Sequence, residues 1–136
     1  MAKSPRKKIT ADERKDWRNL PLEHWNTLSV QTMVADLNRE HYGVEKYVPN
    51  RGYGYEQGVI KRVLNEYGAE AVRETIERSF AEYRPSADYP QLTAGFLLTY
   101  MLPRIMPRVL AEMETAKRRQ AAESEAPSIS ELVDWL

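Results

Sequence analysis

The chain reads as an all-α protein: a compact bundle of about five main helices, with a basic N-terminal arm and a short C-terminal amphipathic helix. Three observations predict this. Apolar side chains recur every three or four residues through most of the sequence. Corners bearing glycine or proline separate those stretches. The 136 residues, 42% hydrophobic and 29% charged, suit one core under a well-solvated surface. The expected organisation is an arm over residues 1–9, a helical domain over 10–120, a linker over 121–127 and a short helix over 128–136.

Thr10-Ala-Asp-Glu13 has the form of a capping box, in which threonine accepts from the amide at Glu13 and glutamate reaches back. A first helix over residues 11–18 follows, ended by the Leu20-Pro21 step. Asn26, Thr27 or Ser29 caps a second helix running to Tyr42, with Val30, Met33, Val34 and Leu37 on one face and Gly43 closing it. Residues 44–54 read as a loop punctuated by Pro49, Gly52 and Gly54, with room for a short strand at Lys46-Tyr47-Val48. From Tyr55 a stripe of Val59, Ile60, Val63, Leu64 and Tyr67 marks a third helix, which Gly68 breaks. The fourth starts at Ala69 and aligns Val72, Ile76, Phe80 and Tyr83, with Glu74 and Arg78 as an outward i,i+4 pair. Joined by one glycine, the two read as an αα-hairpin.

Arg84 to Pro90 is a second loop, after which Thr93 caps a helix. Phe96, Leu97, Leu98, Tyr100, Met101 and Leu102 leave that helix almost no polar side, which predicts a place at the bundle's centre. Pro103 and Pro107 are expected to kink or split it. Ser128-Ile-Ser-Glu131 repeats the capping box ahead of Ile129, Leu132, Val133 and Leu136, with Trp135 beside them. A helix that short needs its apolar face covered, by its own domain or by another molecule.

Composition narrows the chemistry. No cysteine is present, so disulfides and thiolate metal sites are excluded. The two histidines, His24 and His41, lack any Glu-x-x-His or His-x-x-x-His spacing, so no metal site is expected. No Gly-x-Ser-x-Gly elbow occurs, and Arg51-Gly52-Tyr53-Gly54-Tyr55-Glu56-Gln57-Gly58 lacks the ending of a phosphate-binding loop. Paired carboxylates such as Glu70 and Glu74 belong to a solvated face. Neither catalytic residues nor a cofactor is expected. The basic start leads into charged residues, unlike a secretory signal, and the longest apolar stretch, Phe96 to Met106, is interrupted by Pro103 and Arg104. The expected location is the cytoplasm, away from the membrane.

The net charge of zero hides a gradient. Residues 1–18 carry seven basic side chains against Asp12, Glu13 and Asp16, whereas residues 123–136 carry four acidic ones and no basic one. Lys3, Arg6, Lys7 and Lys8 have the character of a phosphate-contacting arm, or of a solubilising start. In the loop after the second helix, Tyr42, Tyr47, Tyr53 and Tyr55 alternate with Lys46 and Arg51. Such a set stacks bases, forms a protein hot spot, or packs partly on the bundle as ordinary loop filling. The glutamates along the fourth helix (Glu70, Glu74, Glu77 and Glu82) would be repelled by a duplex, which disfavours a DNA-reading helix-turn-helix. Trp17 and Trp25 read as core anchors. The first contact candidates are therefore Lys46, Tyr47, Arg51, Tyr53 and Tyr55, and the second Leu132, Val133, Trp135 and Leu136.

Residues 20–110 resemble small helical proteins from the early regions of phages and prophages of Gram-positive bacteria. The resemblance lies in Trp25-Asn26-Thr27 through Tyr42-Gly43, Ile60-Lys61-Arg62, Glu66-Tyr67-Gly68-Ala69-Glu70, Tyr89-Pro90-Gln91-Leu92 and Gly95-Phe96-Leu97. It implies an accessory to DNA machinery: a helicase loader, a replication organiser, or a recombination directionality factor that binds an integrase. The expected function is a non-enzymatic adaptor for a replication or recombination protein, with DNA contact secondary. A direct DNA-binding regulator and a protein inhibitor of a host enzyme are the rival classes.

Overall fold

A computed structural model describes residues 8–125. The fold is all-α, and among the described residues there is no strand. In chain order the elements are α1 (Ala11–Lys15), a 3-10 turn (Leu22–His24), α2 (Thr27–Tyr42), α3 (Tyr53–Tyr67), α4 (Ala69–Glu82), α5 (Ala94–Phe96), a π-helical turn (Leu97–Met101) and α6 (Leu102–Glu125). No helix among them is long and apolar enough to cross a membrane.

The capping box of α1 is formed in both directions, with the Glu13 amide 3.1 Å from Thr10 Oγ1 and the Thr10 amide 3.4 Å from Glu13 Oε1. The helix is shorter than expected. Asp16 ends it, and the turn that follows swings Trp17 and Leu20 into the core, where they are 3% and 8% exposed. The Trp17 indole donates to Asp36 on α2 at 2.8 Å and meets Trp25 edge-on at 6.3 Å. Ile9, expected in the flexible arm, packs against the same core; Lys8 is exposed, and Lys3, Arg6 and Lys7 lie outside the described residues.

Asn26 caps α2, accepting from the amides of Leu28 and Ser29, and Gly43 closes it at φ +69°. Helices α3 and α4 pack as the hairpin the sequence predicts. Gly68 forms the corner at φ +86°, ψ 159°, a conformation nearly closed to residues with a Cβ. Nothing lies within 4 Å of a Cβ added there, so Gly68→Ala isolates the backbone cost. We expect a loss of about 1–3 kcal/mol in urea unfolding; a change within error would mean the corner relaxes freely.

Two expectations about residues 44–54 fail. Lys46-Tyr47-Val48 is no strand, because the backbone N–H and carbonyl of Val48 are taken by the side chain of Gln91 instead of by a neighbouring chain. Helix α3 also begins at Tyr53, so Gly54 lies inside it; Gly52, at φ +88°, makes the turn alone.

Residues 94–125 run helically without the split expected at the prolines. Just before Pro103 the turn widens, and the Leu102 amide bonds back five residues to Leu97. The wide turn accommodates a proline that can neither donate nor tolerate the carbonyl four residues earlier. Pro107 sits inside α6, exposed to solvent. The expected linker over 121–127 is likewise corrected: residues 121–125 are helical, and 126–127 lie outside the described residues with Leu132, Val133, Trp135 and Leu136. Helix α6 runs antiparallel to α4, tied by Arg104–Glu82 at 2.7 Å near one end and by Arg78–Glu112 further along. Phe80, Met33, Ile60, Ile76, Leu92, Leu97 and Met106 fill the centre.

Candidate partner-binding surface

The loop before α3, the start of α5 and the π turn meet at one place. Asn38 on α2 fixes the first side of it. Fully buried, it donates to Leu92 O and accepts from Leu92 N, both at 2.8 Å, while a second donation holds Val34 O. Tyr47 fixes the second. Its hydroxyl donates to Glu56 at 2.6 Å and accepts from the Ala94 amide at 2.9 Å. Burial and the adjacent Glu56 carboxylate push the Tyr47 phenol far above its ordinary range.

Tyr47 therefore leaves the expected contact surface. At 8% exposure it is an internal strut, because its ring packs on the core and its hydroxyl has two partners inside the protein. Tyr42 is internal too. It stacks on Phe80 at 5.7 Å and donates to Phe80 O at 2.8 Å, and burial raises its pKa to about 12. The other loop candidates stay outside. Lys46 and Arg51 are exposed, Tyr53 is 56% exposed and Tyr55 42%, and neither cation has a carboxylate within 4 Å among the described residues. The Arg51 guanidinium lies 5.2 Å from the Tyr55 ring centre.

Two contributors that sequence reasoning placed in the core are on the surface. Phe96 is 41% exposed and Tyr100 70%, with rings 5.3 Å apart. They continue a file of rings from the core outward: Phe80, Tyr42, Tyr83 at 5.7 Å from Tyr42, Phe96 at 6.3 Å from Tyr83, then Tyr100. Gly95 joins this file to the loop, since a Cβ there would sit 3.6 Å from Tyr55. Arg51 and Tyr55 thus lie beside the start of the helix that carries Phe96 and Tyr100 out into solvent. The i,i+4 spacing of Phe96 and Tyr100 against Leu97, Leu98 and Met101 was the available signal.

Beneath the surface, Glu56 is 1% exposed. Desolvation raises its pKa; the Tyr47 hydroxyl and the Gly95 N–H offset this in part, while Oε1 has no hydrogen-bond partner of good geometry. Elsewhere the reactive groups stay apart. His24 faces Glu23 at 3.6 Å, and His41 lies against Tyr42 and Phe80. Among the described residues, no three His, Asp or Glu side chains are placed to hold a metal ion. Compared with family models, curated proteins and solved structures, the chain matches none.

Proposed function

We propose that this chain is a non-enzymatic, cytoplasmic accessory protein that docks on a protein of DNA replication or recombination through Arg51, Tyr55, Phe96 and Tyr100. The carrying observation is the exposure of Phe96 and Tyr100 on a helix whose opposite side is fully buried. Large aromatics held out on a rigid support lose little side-chain freedom on binding, and with arginine they dominate protein interfaces. The mixed charge of the chain, 20 basic against 20 acidic residues, favours a protein partner over a nucleic-acid backbone. The kind of partner follows the resemblance to phage accessory proteins.

Capture from a lysate of the source organism, with and without nuclease, tests the reading. A nuclease-resistant partner identified by mass spectrometry as a replication or recombination protein is expected. Tyr100→Ala with Phe96→Ala should weaken its capture at least about tenfold, which is 1.4 kcal/mol, without lowering the melting temperature of the free protein. Capture that nuclease abolishes, or that survives both substitutions, would sink the proposal. A partner outside DNA metabolism would point to the inhibitor class instead.

A further inference from the structure

We infer that the exposed end of α6 pairs antiparallel with the same stretch of a second copy of this chain. From Glu114 to Ser124 every α6 side chain is exposed, so no other described element covers any side of it. A helical stretch that short and uncovered is marginal in water. One face of α6, running into this stretch, carries Arg108, Glu112, Arg119 and Glu123 at spacings of four, seven and four residues. At about 100° per residue the four fall within about 60° of one another around the helix. A shallow groove of about 350 Å3 lies along that face, lined by Arg108, Ala111, Glu112, Thr115, Ala116 and Arg119. All six are exposed, and at its middle Thr115 and Ala116 are short enough for a second helix to come close.

The order of the charges selects the occupant. Thr115 and Ala116 flank the midpoint of the face; Arg108 lies as far before it as Glu123 lies after it, and Glu112 as far before it as Arg119 after. A twofold axis at that point sets Arg108 against Glu123 and Glu112 against Arg119, each pair twice, over about 22 Å of helix. Parallel pairing in register would set like charges together. Arg108, Arg119 and Glu123 have no ion-pair partner within 4 Å among the described residues. Glu82, the carboxylate that Arg108 acts on within the chain, is held by both terminal nitrogens of Arg104. Glu112 meets Arg78 through Oε2, and its other oxygen serves the second copy's Arg119. A partner of one charge sign, such as a nucleic-acid backbone or an acidic peptide, would be repelled by half of these groups, whereas a second copy satisfies all four. The contact uses none of the exposed aromatic residues and stands independently of the docking proposed above.

About four turns of helix make a small interface, with a dissociation constant on the order of 10–100 µM, which sedimentation equilibrium of the full chain reads directly. Reversing one charge replaces two attractions by two repulsions, so Arg108→Glu alone and Glu123→Arg alone should each weaken the dimer at least about tenfold. Both positions are exposed, so both variants should keep the circular dichroism of the native chain. An equimolar mixture of the two variants should recover the dimer, because one then offers acid where the other offers base at both contacts. A native chain that stays monomeric at about 1 mM, variants that dimerise as the native chain does, or a mixture no tighter than either variant alone would each overturn the inference. The last result would mean that charge governs the contact in another register.

Discussion

Asn38→Leu is expected to destabilise the protein by about 2–6 kcal/mol, because the Leu92 amide and carbonyl both lose their buried partner and each unsatisfied group costs about 1–3 kcal/mol. The side chain acts as a two-point pairing partner for the backbone of Leu92, with both contacts at 2.8 Å and no exposure to water. Leucine has a similar volume, so the loss reports the hydrogen bonds more than packing. Against a typical total of about 5–15 kcal/mol this is a large share. The consequence extends to the surface, since Leu92 anchors the segment leading through Thr93 into α5 and Phe96. Urea unfolding should show an earlier midpoint with an unchanged slope. A loss below about 1 kcal/mol would mean that water or a shifted backbone replaces Asn38. Partner capture by the still-folded variant should fall with it.

That residue illustrates what the sequence could and could not say. Helix ends were legible because their signals are local: Thr10 with Glu13, Asn26, Gly43, Gly68 and Thr93 each act within four residues of themselves. Asn38 sits on a helix face with no such signature, and its partner is 54 residues away. The loop tyrosines were legible as a set but not individually. Tyr47 and Tyr53 share composition and neighbourhood, and only the position of Ala94 and Glu56 decides that the first is internal. Phe96 and Tyr100 were misplaced because a stretch apolar on nearly all sides has no polar face to mark the side that meets water; the burial of Leu97, Leu98 and Met101 decides it. Glu56 was missed for another reason: it keeps the i, i+3, i+4, i+7 spacing of Val59, Ile60 and Val63, but a carboxyl on that face reads as solvated until Tyr47 is placed against it.

Glu56 yields the second large prediction, one of pH. Its folded pKa is raised above the unfolded value by burial. A carboxyl shifted in that direction stabilises the fold fully below its unfolded pKa, and the contribution disappears as pH rises through the folded pKa. Glu56→Gln cannot ionise. Relative to the variant, the native chain should therefore be most stable at the acid end of the range and lose ground as pH rises. Any fixed cost of placing an amide beside the Tyr47 hydroxyl and the Gly95 N–H shifts the difference equally at every pH. Glu82, whose pKa is lowered by Arg104, responds in the opposite sense and loses stability in acid, but it is common to both proteins and cancels. Tyr47, whose phenol burial pushes far above its ordinary range, stays protonated throughout. The measurement is urea unfolding of both proteins at half-unit steps from pH 4 to 8. A difference that stays flat would show that Glu56 titrates in the fold as it does in the unfolded chain. A slope of the expected sign, with partner capture by the variant retained at pH 8, would separate the strut under the aromatic surface from the surface itself.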